Sequence, residues 1–217
     1  MSLSETLWWY LGNILEYAMQ MLPCMLGALA VFLLVRPGQL RRLEGRGLVS
    51  GPWREGALLL FVMFGAGLAA LTVFPAGFWR VRHWSAFLRG ERPLFPPVDW
   101  HIQLQTLQLT PLQEIYRAFR GPWVMFLMLA NIGIFLPVGF FIALLWRRPR
   151  WWKSAGLGCL CSCAIEFIQI FIGRSTDVDD VILNTAGAFL GYWLFRLLRA
   201  LFPRCFAKFQ CHERGAI

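Results

Sequence analysis

Five long stretches of apolar residues, separated by shorter polar segments, run through the chain. They occupy residues 17–35, 57–79, 122–146, 154–172 and 181–202. Each is close to the ~20 residues that a helix needs to cross the hydrocarbon core of a bilayer. The pattern therefore predicts an all-α membrane protein, a five-helix transmembrane bundle that forms a single domain over residues 1–217.

The composition agrees with this prediction. Hydrophobic residues make up 58% of the chain and charged residues 15%, whereas apolar residues are about half of an ordinary soluble domain. The N-terminus lacks a positively charged segment, and its first apolar stretch is long enough to remain as a span. No cleavable signal peptide is predicted.

Positive charge is concentrated on one side of the predicted bundle. Most Lys and Arg residues lie in segments 36–56, 147–153 and 196–217. Because short positive loops stay in the cytoplasm, we expect the N-terminus outside and the C-terminus inside. The net charge of +9 is thus explained by topology and by attraction to anionic lipid. No nucleic-acid partner is expected, since no recognised binding motif accompanies the charge.

The long loop before the third span contains a helix start. Thr110 is a suitable N-cap, Pro111 suits the first helical position, and Gln113 follows the cap by three residues. The apolar residues after this start share one face: Leu112, Ile115, Tyr116 and Phe119. This is the pattern of a short interfacial helix that lies in the membrane surface.

Three polar residues lie inside the last three spans. At 1.5 Å per helical residue, Asn131 is ~13 Å, Glu166 ~10 Å and Asn184 ~6 Å from the outer side. A polar group facing lipid alone costs several kcal/mol. We therefore expect these side chains to converge in the outer leaflet.

Helical periodicity refines the expected convergence. One stripe of the fourth span contains Ser162, Glu166, Gln169 and Gly173, and one stripe of the fifth contains Asp180, Asn184, Gly187 and Gly191. Gly187 and Gly191 form a GxxxG packing motif, so Glu166 and Asn184 are predicted to face each other. Two states of Glu166 remain open: protonated and donating to Gln169, Asn131 or Asn184, or ionised beside Arg174.

An acidic turn joins these two spans. Asp177, Asp179 and Asp180 place three carboxyl groups within four residues, and their repulsion favours water, Arg174 or a hard divalent cation such as Mg²⁺ or Ca²⁺. A solvated turn in which Asp177 or Asp179 caps the fifth span explains the same residues. Apart from such a cation, no cofactor is predicted.

The ordered polar residues of the last three spans resemble the VanZ-like family over roughly residues 107–201. The matching positions are Asn131, Phe135, Pro137, Gly139 and Phe140, then Glu166, Gln169, Arg174, Asp177, Asp180, Asn184, Gly187 and Gly191. The resemblance implies a multi-pass protein of the bacterial inner membrane and cell envelope. It also implies a link to teicoplanin resistance, with no settled reaction.

The leading functional hypothesis is an outer-leaflet polar pocket that binds an amphiphile without catalysis. Its ligand would be a lipid-linked wall precursor, a lipid headgroup or a lipoglycopeptide antibiotic, and membrane lipids would be its partners. The predicted ligand-binding residues are Asn131, Glu166, Gln169, Arg174, Asp177, Asp180 and Asn184.

Two alternatives remain open. An intramembrane enzyme would use Glu166 and Asp180 in catalysis, with a cation at Asp177, Asp179 and Asp180 polarising a phosphoryl group. No nucleophile is evident for it. A lipid transporter would use Glu166 as a proton-coupled carboxyl group. The sequence leaves the ligand and the oligomeric state undetermined.

Overall fold

A computed structural model of the protein describes residues 3–75, 77–119 and 121–213. Five of its helices are long and apolar enough to cross a membrane, which confirms the predicted all-α class. These are α1 (Leu3–Glu44), α2 (Pro52–Val73), α6 (Pro122–Leu145), α7 (Trp151–Phe171) and α8 (Val178–Leu201). Short helices α3 (Val81–Leu88), α4 (Trp100–Gln105), α5 (Gln113–Ala118) and α9 (Pro203–Ala207) complete the helices of the described segments.

The first two spans end differently from their predicted limits. The predicted end of the first span at residue 35 is wrong, because α1 continues through Pro37 to Glu44. Arg36, near the end of the predicted span, donates two hydrogen bonds of 2.5 and 2.6 Å to the Glu55 carboxylate and so holds the extension against α2. In turn, α2 ends at Val73 rather than 79, since Phe74 precedes Pro75 and is extended.

The predicted start of the interfacial helix is also wrong. Helix α5 spans six residues, and its N-cap is Leu112 instead of Thr110. Leu112 has φ 69°, a left-handed conformation that is uncommon for a leucine. The contacts that hold it there come from the acidic turn.

The tightest packing lies between α6 and α8. A Cβ atom added to Gly187 would lie 2.2 Å from the Ile132 carbonyl oxygen, and one on Gly191 would lie 2.1 Å from that of Leu136. Because side chains are absent at these points, the two backbones touch. Phe135 of α6 and Phe195 of α8 are almost wholly buried beside this contact.

The bundle has two chemically different ends. The turn end carries the α7–α8 turn (residues 172–177) and the 74–121 loop. The basic end carries the α1–α2 turn (45–51), the α6–α7 turn (146–150) and the tail after α8. At the basic end, strand β1 (Leu48–Val49) pairs antiparallel with β2 (His212–Glu213) and ties the tail to the α1–α2 turn.

Candidate functional site

The α7–α8 turn is shaped by a glycine and an aspartate. Gly173 has φ 71°, and the next amide, Arg174 N–H, donates to the Gln169 carbonyl over 3.1 Å. This closes the end of α7 in the way that a left-handed residue commonly ends a helix. Asp177 then caps α8, since its carboxylate accepts from Asp179 N–H at 2.8 Å. The turn therefore reverses the chain, so that α8 runs back along α7. The three aspartates lie at the start of α8.

Glu166 is buried just beneath this turn. Its side chain is 7% exposed, and its Oε2 atom accepts from the Asp177 backbone N–H over 3.1 Å. Within the described residues, no Lys, Arg or His nitrogen lies at salt-bridge distance from it. The guanidinium of Arg174 instead donates to the carbonyls of Leu71 and Thr72, at 3.0 and 3.1 Å.

Asn184 joins the site from α8. Its Nδ2 donates to the Ser162 hydroxyl over 2.9 Å, and Ser162 is fully buried one helical turn before Glu166. The two predicted stripes thus meet, but the direct partner of Asn184 is Ser162 rather than Glu166. The other atom of the amide, Oδ1, is buried and has no hydrogen-bond partner among the residues that the structure describes.

Asn131 links the third span to the same region. Its Nδ2 donates to Asp180 Oδ1 at 2.5 Å, which connects α6 with the first turn of α8. We name the set Asn131, Ser162, Glu166, Asp180 and Asn184 the polar seam. Its members come from the last three spans and approach the turn end.

Two of the predicted site residues face α2 instead. Gln169 donates through Nε2 to the Thr72 carbonyl over 3.3 Å, beside the contacts of Arg174 with the same helix end. They fasten the α7–α8 turn to the C-terminus of α2. The structure therefore separates Gln169 and Arg174 from the hydrogen bonds that connect α6, α7 and α8.

Asp179 has a role that the sequence reasoning missed. It is fully buried, and its carboxylate accepts from Leu112 N–H at 2.5 Å and from Ile115 N–H at 3.4 Å. Asp179 thus caps α5, a helix far away in sequence, and stabilises the left-handed Leu112. No local spacing signals a cap supplied by a distant segment.

The loop is fastened to the acidic turn at further points. Gln108 N–H donates to the Thr176 carbonyl at 2.9 Å, and Val178 N–H donates to the Gln108 carbonyl at 3.0 Å. Gln103, which is buried, donates to the Arg174 carbonyl at 2.7 Å. The 100–119 segment is consequently part of the turn end.

The three aspartates do not share a common centre. Asp177 caps α8, Asp179 caps α5 and Asp180 accepts from Asn131. In the described part of the chain, no group of three or more His, Cys, Asp or Glu residues is arranged to hold a metal ion. The side chains as placed do not fit a divalent cation, which would need several of these oxygens on one point.

An aromatic surface lies next to the site. Trp100 contacts Phe171 edge-to-face at 5.9 Å, and Phe171 contacts Phe167 at 5.1 Å between ring centroids. All three rings are at least half exposed. We name them the aromatic wall. The turn end therefore combines a buried set of hydrogen-bonding groups with an exposed apolar face.

Comparison with known proteins completes the assignment. Protein VanZ of Enterococcus faecium is 35% identical over 71 residues, which are 32% of this chain and 44% of that protein. The chain therefore matches less than half the length of this relative. No solved structure matches the chain. The model of the VanZ/LLP1 family matches residues 61–199, well over half of the chain and all of the polar seam, and the chain belongs to the VanZ/LLP1 family.

Proposed function

We propose that this VanZ-family membrane protein binds the polar headgroup of an amphiphile at the turn end of its bundle, without chemical conversion. The observation that carries the proposal is Glu166. It is buried within a candidate span and has no cationic partner at salt-bridge distance in the described residues. An ionisable group in such a position is a functional-site hypothesis by default, because burial without a partner is costly.

The chemistry of the polar seam indicates the class of headgroup. The carboxyl groups of Glu166 and Asp180 accept hydrogen bonds, and so can Asn184 Oδ1, for which the described residues supply no donor. They suit hydroxyl or amine donors, such as those of a sugar or an amino group. The aromatic wall would lie along the apolar part of the same molecule.

A lipid-linked wall precursor and a lipoglycopeptide antibiotic such as teicoplanin both join hydroxyl or amine donors to an apolar chain. The family's link to teicoplanin resistance supports the choice. We therefore take a sugar-bearing amphiphile as the ligand class. From the distribution of positive charge we expect the turn end to lie in the outer leaflet, where the protein would meet either molecule.

Binding to purified protein tests the proposal. Native mass spectrometry with teicoplanin and with a lipid-linked wall precursor would compare wild type with Glu166→Gln plus Asp180→Asn. Replacing the two carboxyl groups is expected to weaken binding roughly tenfold or more.

The matched control changes two acids outside the polar seam. Glu16→Gln plus Glu91→Gln removes the same charge from two exposed pairs, with Arg80 and Arg89. This variant should bind like wild type. Unchanged affinity in the Glu166 and Asp180 variant would refute the site.

A further inference from the structure

An apolar cavity lies at the basic end of the bundle, between the start of α2, the end of α6 and the tail after α8. Its volume is about 570 Å³, which is in the range of small-ligand pockets. Four of its lining residues are phenylalanines, and none carries a charge. A group bound inside must therefore be hydrocarbon, because these side chains would not replace the hydrogen bonds that a polar group makes with water.

The cavity opens toward the bilayer. Its lining follows α2 from Pro52 to Leu60, and these eight steps rise roughly 12 Å along the helix axis. One leaflet of a membrane contributes roughly 15 Å of hydrocarbon. Helix α2 is a candidate span, and Leu60 is 60% exposed. In a membrane the open side of the cavity therefore meets acyl chains.

The tail forms a fixed wall of this cavity. The Phe206 ring lines it and contacts the buried Phe195 edge-to-face, with 5.7 Å between centroids. Gln210 Nε2 donates to the Leu144 carbonyl at 3.0 Å, and strand β2 follows, paired with β1. The tail could not collapse into the empty space without breaking these contacts.

A glycine in α2 leaves part of the space open. Gly56 lines the cavity, and a Cβ atom added there would meet no atom within 4 Å. Its φ is not positive, so the backbone accepts any side chain that suits a helix. A larger residue at this position can therefore occupy the cavity without straining the protein.

A cation lies beside the mouth of the cavity. The Lys208 ammonium is 5.5 Å from the centre of the Trp53 ring, and Trp53 lines the cavity. An aromatic ring attracts a cation but leaves its charge in place. Among the residues that the structure describes, no carboxylate lies at salt-bridge distance from Lys208. A phosphate at the membrane surface would supply a counter-charge.

We infer that this cavity holds an acyl chain of a membrane phospholipid, whose phosphate lies beside Lys208. The apolar lining selects the chain, and the ammonium favours a phospholipid over an uncharged lipid with the same chains. This site is independent of the function proposed for the polar seam, which lies at the other end of the bundle.

Lipid retention by the purified full-length protein tests both parts of the site. Native mass spectrometry would compare phosphatidylglycerol with diacylglycerol, each carrying two oleoyl chains. Wild type should retain phosphatidylglycerol roughly fivefold more strongly, which is the contribution of one basic residue near a charged headgroup. Glycerol 3-phosphate, which has the phosphate without the chains, should displace neither lipid.

A substitution at the mouth tests the contact with phosphate. Lys208→Gln should remove most of the preference for phosphatidylglycerol and leave retention of diacylglycerol unchanged. The matched control is Arg204→Gln, because Arg204 is also exposed and lies in the same short helix, α9, but not in contact with Trp53. This variant should keep the preference of wild type.

A substitution inside the cavity tests the position of the chain. Gly56→Leu should lower retention of both lipids roughly tenfold, because its side chain displaces methylene groups from the apolar lining. Gly65→Leu is the matched control. Gly65 is an exposed glycine of α2 with no atom within 4 Å of an added Cβ, and it does not line the cavity. Its variant should retain both lipids like wild type.

Several results would overturn the inference. These are unchanged retention in the Gly56 variant, an equal loss in the Gly65 variant, displacement by glycerol 3-phosphate, or a preference for phosphatidylglycerol that survives Lys208→Gln. If Gly56→Leu fails to fold, as judged by thermal unfolding, Gly56→Met and Gly65→Met replace the pair, since methionine adapts its shape to the space available. Equal retention in those two variants would likewise refute the site.

Discussion

At the scale of single residues, the Ser162 and Asn184 pair connects α7 with α8 inside the bundle. The hydroxyl accepts from the amide at 2.9 Å, and both side chains are buried. Water has no access to replace either partner. Removing one partner therefore costs more free energy than the hydrogen bond itself contributes, because the other partner is left buried without a hydrogen bond.

Ser162→Ala should lower the free energy of unfolding by about 1 kcal/mol, because it leaves the Asn184 Nδ2 group without an acceptor. Chemical denaturation of the detergent-solubilised protein measures this. Ser162→Ala plus Asn184→Leu should recover part of the loss. Ser175→Ala, at an exposed position, is the control, and an equal effect there would contradict the role of the pair.

Asp179 acts on a segment remote in sequence. Asp179→Ala removes the acceptor for Leu112 N–H and Ile115 N–H, and loss of a cap costs about 1 kcal/mol. Amide hydrogen exchange in residues 112–118 should become roughly fivefold faster. Mass spectrometry of the corresponding peptides provides the measurement.

The matched control for that variant is another capping aspartate. Asp99 accepts from the amides of His101 and Ile102 at the start of α4. Asp99→Ala should accelerate exchange in residues 100–105 and leave 112–118 unchanged. Exchange of α5 that is insensitive to Asp179→Ala would mean that this carboxylate does not hold the helix.

At the scale of helices, α6 and α8 form the closest pair through Gly187 and Gly191. Gly187→Ala would place a methyl group 2.2 Å from the Ile132 carbonyl oxygen, so the helices must separate. We expect a loss of roughly 1–3 kcal/mol, the usual cost of overpacking. Thermal unfolding measures it, and Gly133→Ala is the control because no neighbour lies within 4 Å of that position. Equal stability of the two variants would contradict this packing.

The same contact explains why the polar seam forms. With its glycines against α6, α8 must turn Asn184 toward α7, where it meets Ser162. Asp180, one turn earlier, then lies within reach of Asn131. Placement of the polar groups is thus a consequence of which helix the glycines contact.

For the molecule as a whole, the Arg36 and Glu55 ion pair joins α1 to α2 at the basic end. The two side chains are 11% and 21% exposed. Glu55→Gln would leave a largely buried guanidinium without its counter-charge, and we expect a loss of about 2 kcal/mol on denaturant unfolding. Glu91→Gln breaks the exposed pair with Arg89 and should cost less than ~0.5 kcal/mol. Similar losses in the two variants would refute this account.

Orientation in the membrane also belongs to this scale and stays a prediction. The basic end should face the cytoplasm, because it carries most of the positive charge in short segments. Green fluorescent protein fused after Ile217 should fluoresce, and alkaline phosphatase fused there should be inactive. The reverse pair of results would place the basic end outside and the polar seam in the inner leaflet.

The sequence by itself determined the five spans and the polar stripes of α7 and α8. Hydropathy is a sum over neighbouring residues, and helical periodicity fixes which side chains share a face. Asn131, Glu166 and Asn184 were therefore predictable as members of one region. The family resemblance was visible for the same reason, since its residues are ordered along three consecutive long helices and the turn between the last two.

Only the tertiary structure decided which groups are partners. Asn184 pairs with Ser162, Gln169 and Arg174 contact α2, and Asp179 caps α5. Each choice depends on how helices rotate about their axes and on which distant segment approaches. Backbone contact at Gly187 and Gly191 sets that rotation, and its effect on remote groups cannot be calculated from local spacing.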